Sequence, residues 1–215
     1  MSALKEKLIK YHGLKEEDLK KIDTFNLALK IAKFAHDGQY RENGDSYFVH
    51  PYGIYLHFSN LFEIDRYSSI CWNMMDAFGI PTKGVMEVIH LHDVVEDTEL
   101  SHKDVRNLFE EFGFSDYFDK YIDEPLRLIT HDKSVSYSEY IDKILTNRTA
   151  SFVKMLDLMD NLYLFSLEHF GDKELKRAIR YLKYFKTIND KYDFIDRIHR
   201  YKNELLSPYK YDDWQ

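Results

Sequence analysis

Apolar residues return every three or four positions along most of the chain, the spacing of one buried helical face, and this predicts helices nearly throughout. Residues 1–13 are charged and helical in period. Leu27, Ile31 and Phe34 mark the first strong stripe, opened by Asp23 and Thr24 as cap candidates and closed near Gly38. Residues 39–47 are polar, contain Gly44, and read as a loop. A new helix starts at His50-Pro51, because proline is favourable in a first turn. A short helix over residues 68–78 is followed by Pro81, Thr82 and a helix running to about Asp97. Ser101 and Asp104 form a capping box ahead of Val105, Leu108 and Phe109, with Asp in place of the usual Glu. Further helices are expected over residues 117–129 (broken or kinked at Pro125), 137–145, 150–165 and 173–206. The tail, 207–215, reads as frayed or packed through its aromatics.

Composition sharpens this picture. The chain has 215 residues, 44% of them hydrophobic, with only 8 Gly and 4 Pro, so regular helices are favoured over many short strands. No repeat, linker or low-complexity tract divides it. One domain over residues 1–215, with its core at 23–206, is the simplest organisation.

The net charge of −7 gives no overall attraction for nucleic acid or an anionic membrane. An anionic substrate would need a bound cation or a few converging bases to offset that field. Cys71 stands alone beside Ile70 and Trp72, so it reads as a small core residue in a reducing compartment. The N-terminus has no apolar signal region, and no run of about 18 apolar residues is present. The expected compartment is the cytoplasm.

The candidate chemistry centres on residues 88–98. On a continuous helix His92, Asp93, Glu96 and Asp97 would share an arc of about 140°, with Val88, Leu91 and Val95 on the opposite, core-facing side. A solvated face of an amphipathic helix is the bland explanation, and the His-Asp pair decides nothing by itself. It recurs at His36-Asp37 and His131-Asp132. Other residues fit the same chemistry, however. A divalent metal that activates water takes a few N and O ligands and keeps positions open. His92 and Asp93 offer two ligands, His50 a third from a loop-to-helix junction, and Asp157 a fourth from the apolar run Phe152-Val153-Lys154-Met155-Leu156. His90 lies away from His92 on the wheel and reads as a hydrogen-bonded structural histidine; His36 and His131 have no assigned role.

The order His50-Pro51, His92-Asp93-x-x-Glu96-Asp97-Thr98 and Val153-Lys154-x-x-Asp157-x-x-x-Asn161 resembles the hydrolase domain of the RelA/SpoT family, in the HD superfamily. It resembles the stand-alone small alarmone hydrolases more closely still. The resemblance extends to Phe34-Ala35-His36-x-Gly38-Gln39-x-Arg41-x-x-Gly44-x-x-Tyr47, to Leu128-Ile129-Thr130-x-Asp132-Lys133, and to Ser136-Tyr137-x-x-Tyr140-Ile141. It implies an all-α fold, a single HD-domain helical bundle around one metal site. It further implies that His50, His92, Asp93 and Asp157 bind one metal, usually manganese. Glu96 and Asp97 would serve the catalytic water and leaving group. Arg41, Lys133 and Asn161 would contact the nucleotide, and Arg177 and Tyr181, four apart on the last long helix, would clasp the substrate. The implied substrate is guanosine tetra- or pentaphosphate, cleaved at its 3′-pyrophosphate.

Three positions depart from that pattern: Glu42 stands where a second base is usual, Leu164 where a threonine is, and Asp160 where His or Tyr precedes the Asn. An acidic residue near a polyphosphate costs affinity. An enzyme of the same fold acting on another nucleotide, such as a nucleoside monophosphate or the 2′-phosphate of NADPH, therefore stays open. So does a non-catalytic nucleotide-binding or antitoxin-like module, although retention of all four ligands with Glu96 and Asp97 argues against it.

Overall fold

In the computed structural model, which describes residues 1–41, 44–62, 69–163 and 171–206, the first helices are α1 (Ala3–His12) and α2 (Glu16–Leu19). They are followed by α3 (Thr24–Ala35), α4 (Val49–Phe62), α5 (Ser69–Ala77), α6 (Val85–Leu91), α7 (Val94–Asp97) and α8 (His102–Glu111). The second half forms α9 (Ser115–Tyr121), α10 (Asp123–Ile129), α11 (Tyr137–Ile144), α12 (Arg148–Tyr163), α13 (Asp172–Tyr192) and α14 (Phe194–Leu206). Among the described residues there is no strand, only an isolated antiparallel bridge between Tyr40 and Ser46. None of these helices is long and apolar enough to cross a membrane.

Local chemistry starts the helices where the sequence predicts. The Asp23 carboxylate accepts the Asn26 amide at 2.7 Å and caps α3, whose Leu27, Ala28 and Ile31 are buried. Ser101 and Asp104 exchange their capping bonds at the head of α8. Layer by layer, α3 and α4 pack on α6, while α12 packs on α4, α6, α10 and α13. Ile54, Phe58, Val88, Leu91, Phe152 and Leu156 fill the space between them. Leu8 of α1 belongs to the same core, so the packed part begins before residue 23. Cys71 is buried as expected.

Three expected helices are interrupted. The stretch to Asp97 breaks at His92-Asp93, because the His92 ring takes the Ile89 carbonyl at 2.8 Å and Asp93 turns to φ −98°, ψ −8°. Val94 is fully buried there as a result, and Val95, half-buried, packs against the same core. The break in residues 117–129 falls at Ile122 rather than at Pro125. Pro125 sits in the first turn of α10, where a missing N–H costs nothing. The last long helix stops at Asp193, which adopts a left-handed φ of 58° and separates α13 from α14. The tail 207–215, with Glu42 and Leu164, lies outside the described residues.

Candidate metal centre

The loop between α3 and α4 is closed by its own backbone. Arg41 N–H donates to Asp45 at 2.8 Å and Tyr47 N–H to Gln39 at 2.9 Å, which sets His50 at the buried entrance of α4. The break after α6 delivers His92 and Asp93, and the middle of α12 delivers Asp157. All four predicted ligands therefore converge.

His92 is 1% exposed. Its Nδ1 faces a carbonyl, which can only accept, so the proton sits on Nδ1 and the lone pair on Nε2. Nε2 lies 3.1 Å from Asp93 Oδ2 and 3.8 Å from Asp157 Oδ1, yet has no partner in hydrogen-bonding geometry among the described residues. His50 repeats the arrangement: Nδ1 is 2.7 Å from Asp160 Oδ2, while Nε2 stands 3.1 Å from Asp157 Oδ1 and 3.6 Å from Asp93 Oδ2. One ligand atom each from His50, His92 and Asp93 lie within 4.8 Å of one another. Asp157 faces the same space through Oδ1, and its Oδ2 accepts the Lys154 ammonium at 2.8 Å.

Two imidazole lone pairs and two carboxylates thus crowd one desolvated space, and a positive charge must offset them. Protons on the rings are one solution. Burial disfavours charge on His50, but its bonds to Asp157 and Asp160 and the field of Asp93 push its pKa up to about 9. His92 is raised against its burial chiefly by Asp93. Asp93 and Asp157 are held well below the carboxylate range despite their burial, Asp93 by His92 above all and Asp157 by Lys154. The other solution is a divalent cation, and the donor set of two nitrogens and two oxygens suits one of hard-to-borderline character. The unpartnered His92 Nε2 is the atom that fits this group best.

Around the centre, Tyr47 places its hydroxyl 2.8 Å from both Asp93 Oδ2 and Asp97 Oδ2. A phenol has one proton, so it serves one carboxylate at a time. Glu96 accepts the His131 amide at 2.9 Å. Its pKa is raised, first by burial and then by the charges of Asp93 and Asp97, against the pull of His131 N–H and Lys154. Asn161 donates to Asp157 Oδ1 at 2.6 Å, so its amide is engaged on a candidate ligand. Arg41 Nη1 lies 3.8 Å from Asp160.

Lys133 is exposed in the turn after α10. Arg177 and Tyr181 are half-buried on α13, and Arg180 lies over the rings of Tyr137 and Tyr181, at 5.4 and 5.7 Å. Sequence reasoning left Lys154, Tyr47 and Asp160 without roles. Lys154 and Asp157 are three apart on a helix, a pairing the sequence could have signalled; Tyr47 reaches the centre from a distant segment, and Asp160, on α12 itself, meets a partner 110 positions away.

The unassigned histidines separate here too. His36 is buried, bonds Gln39 at 2.8 Å and stacks on Tyr47. His131 packs against Tyr140. His90 corrects the expectation of a hydrogen-bonded histidine. It is fully buried between Phe25 and Tyr55, and neither ring nitrogen meets a partner among the described residues. Desolvation pushes its pKa down to about 3. It is a neutral core ring.

Against known proteins, no family model matches the chain. A solved structure titled "A metazoan ortholog of SpoT hydrolyzes ppGpp and plays a role in starvation responses" superposes with a TM-score of 0.53, covering 88% of this chain and 97% of that one at 21% identity. The chain has that protein's helical fold. In sequence, 84 residues are 34% identical to a guanosine-3′,5′-bis(diphosphate) 3′-pyrophosphohydrolase of Borreliella burgdorferi. That segment is 39% of this chain and 10% of the relative, so the chain matches only a small part of it.

Proposed function

We propose that this protein is a cytoplasmic, metal-dependent phosphohydrolase acting on a nucleotide, with the 3′-pyrophosphate of guanosine tetra- or pentaphosphate as the preferred target. The observation that carries the reading is the buried, unpartnered His92 Nε2, facing two carboxylates and a second imidazole. The fold of the SpoT ortholog and the segment shared with the bacterial pyrophosphohydrolase support the choice of substrate.

His50, His92, Asp93 and Asp157 would hold a divalent cation, manganese in our reading. Such an ion, when bound, polarises a phosphoryl oxygen and acidifies nearby water. Glu96, whose pKa is raised by its burial and by the charges of Asp93 and Asp97, takes the proton of the attacking water. Asp97 is exposed and shares the Tyr47 hydroxyl with Asp93; it assists proton delivery to the leaving oxygen. Lys154 and Asn161 keep Asp157 oriented. Arg41 and Lys133 hold phosphates against the net negative field, and Arg177 with Tyr181 closes the α13 side.

One observation favours a nucleotide that carries fewer phosphates, such as a nucleoside monophosphate. Asp160 draws Arg41 to 3.8 Å and so competes with any phosphate for that guanidinium. The test is a nucleotide panel with and without Mn²⁺, followed by product analysis. Mn²⁺-dependent pyrophosphate release from the guanosine alarmones is expected. Turnover of another nucleotide alone would move the substrate, and no turnover of any would leave a binding module.

A further inference from the structure

Within α4, His50, Gly53 and His57 recur at i, i+3 and i+7 and therefore share the face turned to α12. Asp160 of α12 lies in the notch between them. Its Oδ2 is 2.7 Å from His50 Nδ1, and its Oδ1 is 3.5 Å from His57 Nε2. A Cβ built on Gly53 would stand 3.3 Å from Oδ1, so the missing side chain makes the room that the carboxylate uses. Asp160 is only 8% exposed, and a carboxylate so buried is costly unless it is paired.

The two candidate imidazole ligands are oriented by different acceptors. His92 gives its Nδ1 proton to a neutral backbone carbonyl, that of Ile89. His50 gives its own to a full negative charge. A charged acceptor fixes the ring and makes the opposite nitrogen a better donor, and residues in such outer positions typically govern metal affinity by about 10–100-fold.

We propose that Asp160 is the positioning residue for His50 in the metal centre: it holds His50 by Nδ1–H so that Nε2 is aimed, with strengthened basicity, into the space shared with His92, Asp93 and Asp157. This rests on the metal reading above and adds a residue to it. The pairing also places Arg41 under the same carboxylate, 3.8 Å away, so the ligand sphere and the nucleotide side share one anion.

The experiment is Mn²⁺ titration of the purified protein, with thermal unfolding of the metal-free form measured in parallel. Asp160→Ala should weaken Mn²⁺ binding about 10–100-fold. Asp160→Asn, which still accepts Nδ1–H but carries no charge, should lose less, and it decides the matter if the alanine variant does not fold. Gly53→Ala, which presses on Oδ1, should weaken binding mildly without touching any ligand. Folded Asp160 variants that bind Mn²⁺ as tightly as wild type, with only the melting temperature lowered, would make Asp160 a structural residue and overturn the proposal. A wild type that takes up no Mn²⁺ would overturn the metal centre itself, and this role with it.

Discussion

Lys154 and Asp157 form a largely buried ion pair at 2.8 Å, and the pair divides the carboxylate: one oxygen meets the ammonium while the other faces His50 at 3.1 Å. The ammonium also lies over the rings of Tyr137 and Tyr140, at 5.9 and 5.4 Å. Removing one member of a buried pair strands the other, which typically costs about 3–5 kcal/mol. Lys154→Met should therefore destabilise the metal-free protein by about that amount in urea unfolding. Lys186→Met, at the exposed pair with Asp190, should cost under about 1 kcal/mol. Equal costs would mean that Lys154 is only a surface partner.

The ligand set is tested by metal content. His92→Ala and Asp157→Ala should each abolish stoichiometric metal in elemental analysis of the purified protein. Wild-type content in both would sink the site.

Binding and chemistry separate at Glu96. Glu96→Gln should retain metal and helicity but lose about 10²–10⁴-fold in turnover, because an amide cannot take the proton from water. Turnover near the wild-type rate would reduce Glu96 to a carboxylate that merely anchors the His131 amide.

Substrate affinity is tested at Glu42, where an acidic residue replaces the expected base. Glu42→Lys should lower KM for the guanosine alarmones more than it changes kcat, since it adds attraction common to ground and transition states. A change in kcat alone would place Glu42 at the reacting phosphate instead.

Acid sensitivity should originate in part at His90. Its folded pKa of about 3 lies below the ordinary 6.5, so the unfolded chain binds the proton more tightly. Its contribution to stability is full above 6.5 and is lost as the pH falls from there toward 3. At pH 5 that loss is about 2 kcal/mol. His90→Phe, which keeps a ring between Phe25 and Tyr55, should lose correspondingly less stability than wild type between pH 7 and pH 5. Identical losses would mean that the ring is hydrated in the folded state. Because His50 titrates in the opposite sense, the comparison between the two proteins isolates His90.

What the sequence made legible was what neighbouring residues decide. Asp23 capping α3, the Ser101–Asp104 box and the Leu27–Ile31 stripe all depend on groups within a turn or two. The candidates His92, Asp93 and Asp157 stood out because each interrupts a largely apolar run, and His50 because it marks a loop-to-helix junction. The break at His92-Asp93 was hidden, since no glycine or proline marks it; a side chain taking its own helix's carbonyl makes it. Asp193 was hidden for a related reason, as an aspartate adopts the left-handed turn that glycine usually signals. Asp160 was legible only as a departure. Its partner is 110 residues away, and no local pattern reports a bond of that span.

The same span bears on how the protein comes apart. His50 and Asp157 are 107 positions apart, so the four-ligand space exists only once α4 and α12 have docked. Segments that distant meet late, after the entropy of closing the intervening chain has been overcome. An ion held there would grip the finished structure and not the species that precede it. It would accordingly retard escape from the native state while leaving the rate of folding almost untouched.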